Sequence, residues 1–528
     1  MTDEGRHMRL IPAACFSLTL ATVLAFTVPA SAAPATFDVR LSPSQPLPVS
    51  GRLIVFAQPA PASPVGGQAP DDIDFNLFAP LETAISAREI HNLRPGESVR
   101  IDADDLAFPV AFSDMPKGRY RIQALVDQDH NYAYAGRGAG DVLGPVTYVD
   151  LPGDGVLQLD HILPPAATAV MPETAAAFSF DSARLSQFWG RSVSIKGAIL
   201  LPPGYTKTRG RFPTVYVTHG FSGTLDGMIP GMTYIADAMA AGDMPPMIWV
   251  FLEETNPMGT HEFADSVNNG PWGAALVDDL IPYLEKHYRM DAASSGRFLT
   301  GHSSAGWATL WLQTTYAKTF GGTWSTAPDP SDFHDFFGVD LYAPNANMYS
   351  KPDGSDYPII RNHSDVLVTT RDAVRFEGVL GEYGDQFTSM DSVFSPKGED
   401  GRPQPMFNHA TGQVDPVVAA YWREHYDIAY RIAHDWKRLK PDLDGKIHLY
   451  VGTSDTFYLD GPARRLKATL DGLGAKSNFY FLPDRTHMDL YTIGEDSRAL
   501  TKVISWDMYA VARPAAKRPE GLPALATH

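Results

Sequence analysis

Arg297-Phe-Leu-Thr-Gly301-His302-Ser303-Ser304-Ala305-Gly306-Trp-Ala-Thr-Leu310 passes from a short apolar strand, Arg297 to Thr300, directly into a helical pattern that continues to Tyr316. A serine at the apex of such a strand–turn–helix is held in a strained backbone conformation. The residues two positions to either side must then be small, or strand and helix collide. Gly301 and Ala305 meet that demand around Ser303; Ala305 stands where the strict pattern has a second glycine, but it is still small. Ser304 is the competing hydroxyl, and the bulky His302 occupies one of its flanking positions. Ser303 is therefore the expected nucleophile.

Outward from this turn, Val193 to Leu201, Thr214 to Thr218, Met247 to Leu252, Lys446 to Val451 and Asn478 to Leu482 read as strands, several apolar on both faces. Between them, Ala274 to Tyr288 and Pro462 to Leu473 have helical spacing. Alternating strand and helix predict a mostly parallel sheet covered on both sides, an α/β catalytic domain over residues 186–510. From 327 to 443 the alternation breaks into an insertion rich in Asp, Pro, Gly and aromatics, closing with a helical segment from Val417 to Leu439. An insertion of that size reads as a lid, a substrate wall or surface decoration.

A serine hydroxyl needs a base to take its proton, and on a strand–turn–helix of this kind the chain order is Ser, acid, His. His487, in Asp484-Arg-Thr-His-Met-Asp489, follows the strand that ends at Leu482 and is the expected base. Asp455, in Gly452-Thr-Ser-Asp-Thr-Phe457, follows the strand that ends at Val451 and is the expected acid. Its role is to fix the imidazole tautomer and stabilise the imidazolium. Asp460, Asp484 and Asp489 are the alternatives. The oxyanion of a tetrahedral intermediate needs preorganised donors. The backbone N–H of Ser304 is one, and that of Phe221, in Thr214-Val-Tyr-Val-Thr-His219-Gly220-Phe221, is the second.

Together these residues resemble the esterase D-like group of α/β-hydrolases, often called the putative esterase family, which includes enterochelin, feruloyl and acetyl xylan esterases. The resemblance covers roughly Arg191 to Asp507. It rests on Thr218-His-Gly-Phe221, Gly301-His-Ser-Ser-Ala-Gly306, Asp455-Thr-Phe-Tyr-Leu459 and Thr486-His-Met-Asp-Leu490. It implies the α/β-hydrolase fold, an ester or thioester substrate, the triad Ser303, Asp455 and His487, and no cofactor. Asn268-Asn269-Gly-Pro-Trp272-Gly also looks like a segment of that group. Asn269 and Trp272 are candidate substrate contacts at the C-terminal side of the sheet, with helix capping as the alternative. The same triad could instead pass an acyl group to an alcohol. A non-catalytic carbohydrate-binding protein is the reading from a different class, and a peptidase the lesser enzymatic option.

Residues 36–165 have another texture: short alternating runs such as Gly51 to Phe56 and Gly118 to Val126, separated by Pro, Gly and Asp clusters. They predict a small all-β domain of sandwich type ahead of the catalytic one. Asp127, Asp129 and Asn131 alternate oxygen ligands as a calcium loop does, but the rest of such a loop is missing, and a polar turn is expected in place of a metal site.

At the N-terminus, Arg6 and Arg9 precede an apolar run from Cys15 to Val28, followed by Ala30-Ser31-Ala32. Residues 1–32 are expected to be a signal peptide, giving a secreted or periplasmic bacterial protein without a membrane span in its mature chain. Cys15 is the only cysteine of the 528 residues and lies inside that segment, so a mature chain starting near Ala33 would have neither a disulfide nor a thiol nucleophile. A formal charge of −18 disfavours nucleic acid and anionic membranes as partners. The expected partner is a small-molecule or polysaccharide-linked ester. Residues 514–528, rich in Ala and Pro, read as a disordered tail.

Overall fold

The strand Val49–Pro59 is buried along nearly its whole length, on both faces. Leu53, Val55 and Ala57 point into one apolar cluster and Ile54 and Phe56 into another, as the two-residue period of a strand requires. This strand lies inside the larger of two N-terminal sheets in a computed structural model that describes residues 34–61, 72–167, 169–381 and 383–526. The expected signal segment, 1–32, lies outside the described residues.

The smaller N-terminal sheet has three strands, in the order Ser98–Asp102, Thr36–Leu41, Gly155–Leu159. It stacks on the larger one through Phe37, Val39, Leu53, Val55, Ile122 and Leu157, all essentially inaccessible. This is the expected sandwich. The other face of the larger sheet is not solvated. It joins the core of the catalytic region, and the insertion helix Thr370–Leu380 docks there. Phe376 packs against Phe108 at 5.6 Å and Phe75 at 5.0 Å. Arg52 donates to the Gly378 and Val379 carbonyls at 2.8 and 2.9 Å, which satisfies acceptors that a helix C-terminus leaves open.

The catalytic region is built on an eight-stranded sheet. Its order is Ala175–Asp181, Ser194–Leu200, Ile248–Leu252, Thr214–Thr218, Arg297–His302, Gly322–Thr326, Ile447–Gly452, Asn478–Leu482. Ser194–Leu200 pairs antiparallel with both of its neighbours and the remaining pairs are parallel, the α/β-hydrolase arrangement. Two of these strands do not stand out in the sequence. Gly322-Thr-Trp-Ser-Thr326 is buried throughout although mostly polar, because a central strand hydrogen-bonds on both edges whatever its side chains. Ala175–Asp181, Ala-Ala-Ala-Phe-Ser-Phe-Asp, is an edge strand.

The expected helix Val417 to Leu439 is two helices, Pro416–His425 and Ile428–Leu443. Asp427 breaks it: its carboxylate caps Tyr430 N–H and also accepts from Phe333 N–H and the Tyr342 hydroxyl. Residues 514–526, expected to be a tail, carry no helix or strand, yet Leu522 and Leu525 pack on the core and Arg518 pairs with Asp507 at 2.9 Å. Among the described residues no helix is long and apolar enough to cross a membrane.

Candidate active site

Ser303 sits between its strand and the helix Ser304–Thr315 with φ 63° and ψ −129°, a conformation L residues rarely adopt. Its backbone is held on three sides: its N–H donates to Thr326 carbonyl at 3.1 Å, and its carbonyl accepts from Trp307 N–H at 3.1 Å and Asp329 N–H at 3.3 Å. A Cβ on Gly301 would come 2.4 Å from the Ala305 carbonyl oxygen, so the turn admits only glycine there.

Asp455 and His487, 32 residues apart, meet at the ends of neighbouring strands, with Asp455 Oδ2 2.9 Å from His487 Nδ1. Both side chains are buried. The other Asp455 oxygen accepts from Phe457 and Leu459 N–H at 2.9 and 3.2 Å. Burial pushes the Asp455 carboxyl up, but His487 and these two amides outweigh it and hold it below the usual carboxylate range. Gly452 makes the approach possible, since a Cβ there would collide with the Arg485 carbonyl at 1.9 Å. The alternative acid Asp460 pairs with Arg361 instead, and Asp489 with Arg485.

The His487 ring lies between Phe457 at 4.8 Å and His302 at 4.2 Å. Burial, then the proximity of His487, pushes His302 down to about 3, so it stays neutral beside that ring. Ser303 Oγ contacts Asp329 Oδ1 at 3.5 Å, the limit of a hydrogen bond, and makes none to His487.

Asp329 is a residue that the sequence reading misses. It is buried, accepts the Ser304 hydroxyl at 2.7 Å, and burial pushes it up to about 6. The strand before it, Gly322–Thr326, was itself illegible, so nothing marked Asp329 as a strand-end acid. Glu254 and Glu262 lie in the same buried field. Burial pushes Glu254 up to about 7 and Glu262 well above its usual value.

The loop after Thr214–Thr218 touches the Gly301–Gly306 turn: a Cβ on Gly220 would fall 3.2 Å from Ser303 Cβ. Phe221 N–H and Ser304 N–H have no acceptor among the described residues. His219 anchors the loop, with Nε2 2.5 Å from Glu253 Oε1, while Glu253 Oε2 accepts Leu225 N–H at 2.8 Å. Burial alone would lower the His219 pKa, but the bond to Glu253 and the charge of Glu254 raise it. The same contact draws Glu253 down to about 2 in spite of burial.

Asn269 and Trp272 are largely committed internally. Asn269 Nδ2 donates to the Ser392 hydroxyl at 3.2 Å, and Trp272 Nε1 to the Asn269 carbonyl at 2.9 Å while its ring stacks on His261. Both also border a cavity of about 1230 Å³ between the sheet edge and the insertion, whose walls include Tyr383 and Arg402 but neither Ser303 nor His487.

Among the described residues two side-chain groups have metal-like proximity, Asp332 with His334 and Asp427, and Asp127 with Asp129 and Asp141. In the second, Asp127 accepts from Asn131 and Tyr132 N–H, and Asp141 from Gln128 and Gly138 N–H.

A family model described as "Putative esterase" matches residues 192–472, more than half of the chain. The chain belongs to this family. The match includes Ser303 and Asp455 and ends before His487. Similar solved structures include a ferulic acid esterase at 12% identity, covering 64% of this chain and 97% of that one, with a TM-score of 0.39. An S-formylglutathione hydrolase from Agrobacterium tumefaciens is 12% identical, with coverage of 64% and 94% and a TM-score of 0.38. A ferulic acid esterase from Anaeromyces mucronatus, in complex with ferulic acid, is 14% identical, with coverage of 65% and 94% and a TM-score of 0.35. No curated protein matches the sequence.

Proposed function

We propose that this esterase-family protein is an exported serine hydrolase that cleaves a carboxylic ester through an acyl-enzyme, with Ser303 as nucleophile, His487 as general base and Asp455 as its orienting acid. The observation that carries the reading is the pairing of a backbone-strained serine, φ 63°, with a buried Asp455–His487 hydrogen bond of 2.9 Å at the same, C-terminal end of the parallel strands. Neither feature is needed for a carbohydrate-binding role.

In this reading Ser303 Oγ leaves Asp329 for the imidazole by a change of χ1 rotamer. His487 Nε2 then accepts the hydroxyl proton as Oγ attacks the ester carbonyl. The oxyanion is met by Phe221 and Ser304 N–H, two donors without other acceptors among the described residues. Collapse expels the alcohol, which takes the proton from His487. Water, deprotonated by the same base, releases the acid from the acyl-serine. Asp455 stays ionised throughout and steadies the imidazolium. The substrate is an ester of small-molecule or polysaccharide-linked type.

The test is labelling with a fluorophosphonate probe, alongside turnover of p-nitrophenyl acetate and butyrate, for the wild-type protein and Ser303→Ala. Loss of both labelling and turnover in the variant is expected. Folded wild-type protein that neither labels nor turns over would overturn the reading.

A further inference from the structure

Tyr134 lies on a single helical turn, Tyr132–Ala135, in the loop that leaves the N-terminal strand Gly118–Asp127. That position is outside the family match of 192–472. Its hydroxyl nevertheless donates to the Gly223 carbonyl at 2.8 Å, and its ring meets Phe221 edge-on with centroids 5.0 Å apart. Gly223 and Phe221 belong to the loop whose Gly220 rests against Ser303. The insertion closes the other side, since a Cβ on Gly384 would fall 2.9 Å from Tyr134 Cβ. Tyr134 is 4% exposed, so it is not a surface for substrate. The β unit, the insertion and the hydrolase core meet on this one side chain.

We propose that the N-terminal β unit is a working part of the catalytic centre, with Tyr134 as a positioning residue that holds the Gly220–Gly223 loop so that Phe221 N–H points at the forming oxyanion. This rests on the ester-hydrolase reading above. The chain on either side of the contact is fixed. Tyr132 is packed on Phe56 at 5.7 Å inside the β unit, and His219 is tied to Glu253 in the hydrolase core. Between these anchors the loop carries Ser222 at φ 57°, a conformation that needs external support. The Tyr134 hydroxyl supplies it. Burial, and then Glu254, Glu253 and Glu262, push its pKa far up, so it remains a proton donor throughout the working pH range.

A loop that moves by a few tenths of an ångström still binds substrate, but loses stabilisation that exists only in the transition state. The experiment uses the full chain, because the β unit shares its core with the catalytic region. Tyr134→Phe, Ser303→Ala and wild type are compared on p-nitrophenyl butyrate and on its thiono analogue, whose larger, weaker acceptor sulfur fits a preformed oxyanion site poorly. Hydrogen exchange of the 219–225 segment and Tm are measured in parallel.

For Tyr134→Phe the expected result is a kcat lower by about tenfold with KM within about twofold. Its preference for ester over thionoester should shrink by a similar factor, and exchange should speed up in the 219–225 segment. A variant with wild-type kcat overturns the inference, and so does one that loses kcat while keeping its full ester preference. If Ser303→Ala retains turnover, the ester-hydrolase reading fails. If Ser303→Ala is dead and Tyr134→Phe is unchanged, only the present inference fails.

Discussion

Gly220 and Ser303 are in backbone-to-side-chain contact: a methyl group on Gly220 would stand 3.2 Å from Ser303 Cβ and 2.9 Å from the His302 carbonyl oxygen. The first distance is tight and the second is closer than real Cβ atoms come, so one of the two loops has to retreat.

Gly220→Ala is therefore expected to push the Phe221 amide away from the nucleophile. Misplacing this proposed oxyanion donor is predicted to lower kcat by about 10–100-fold, with a smaller effect on KM. Steady-state kinetics checks this, and a variant within about twofold of wild type would show that the loop yields without affecting the reaction.

Asp455→Asn keeps an oxygen for the Phe457 and Leu459 amides but turns a donor toward His487 Nδ1, which selects the wrong imidazole tautomer. In the Ser-His-Asp template the equivalent change costs about 10⁴ in kcat while the geometry survives. A loss of at least about 10³ in kcat is expected here, with Tm close to wild type. Retained turnover would transfer the acid's role to another carboxylate.

Asp391, on the insertion helix Gln386–Phe394, is a buried acid that burial pushes up to about 8, although it accepts Met406 N–H at 2.9 Å and the Ser395 hydroxyl at 3.2 Å. Its folded pKa exceeds its unfolded one. The protonated form is thus favoured by folding, and that stability is complete below about pH 4 and lost as pH rises through about 8. Asp391→Asn keeps the acceptor and cannot ionise. Calorimetry should find its Tm above wild type at about pH 9, with the gap closing or reversing at about pH 5. A pH-independent difference would mean that Asp391 stays neutral or is solvated.

Much of the site is written locally. The Gly301–Gly306 turn is legible because its demands act within two residues of Ser303. Asp455 and His487 are legible because each follows an apolar strand and the chain order filters the candidates. The helix break at Asp427 is less so: the apolar spacing runs from Val417 to Leu439, and only the burial of Asp427 against Phe333 and Tyr342 turns it into a cap. Gly322–Thr326 escapes notice for the opposite reason, since its burial comes from neighbouring strands and not from its own hydrophobicity. Asp329 is lost with it.

The α/β region, the β unit ahead of it, the Gly301–Gly306 turn and the family resemblance were legible in the amino-acid sequence, because strand period, helix period and turn sterics are short-range. Tertiary structure alone decided that Asp329, Glu254 and Glu262 share one buried field and that Tyr134, 89 residues away in the chain, supports Gly223. Such contacts arise where two surfaces pack to exclude water, and no local pattern specifies which residues will face each other there.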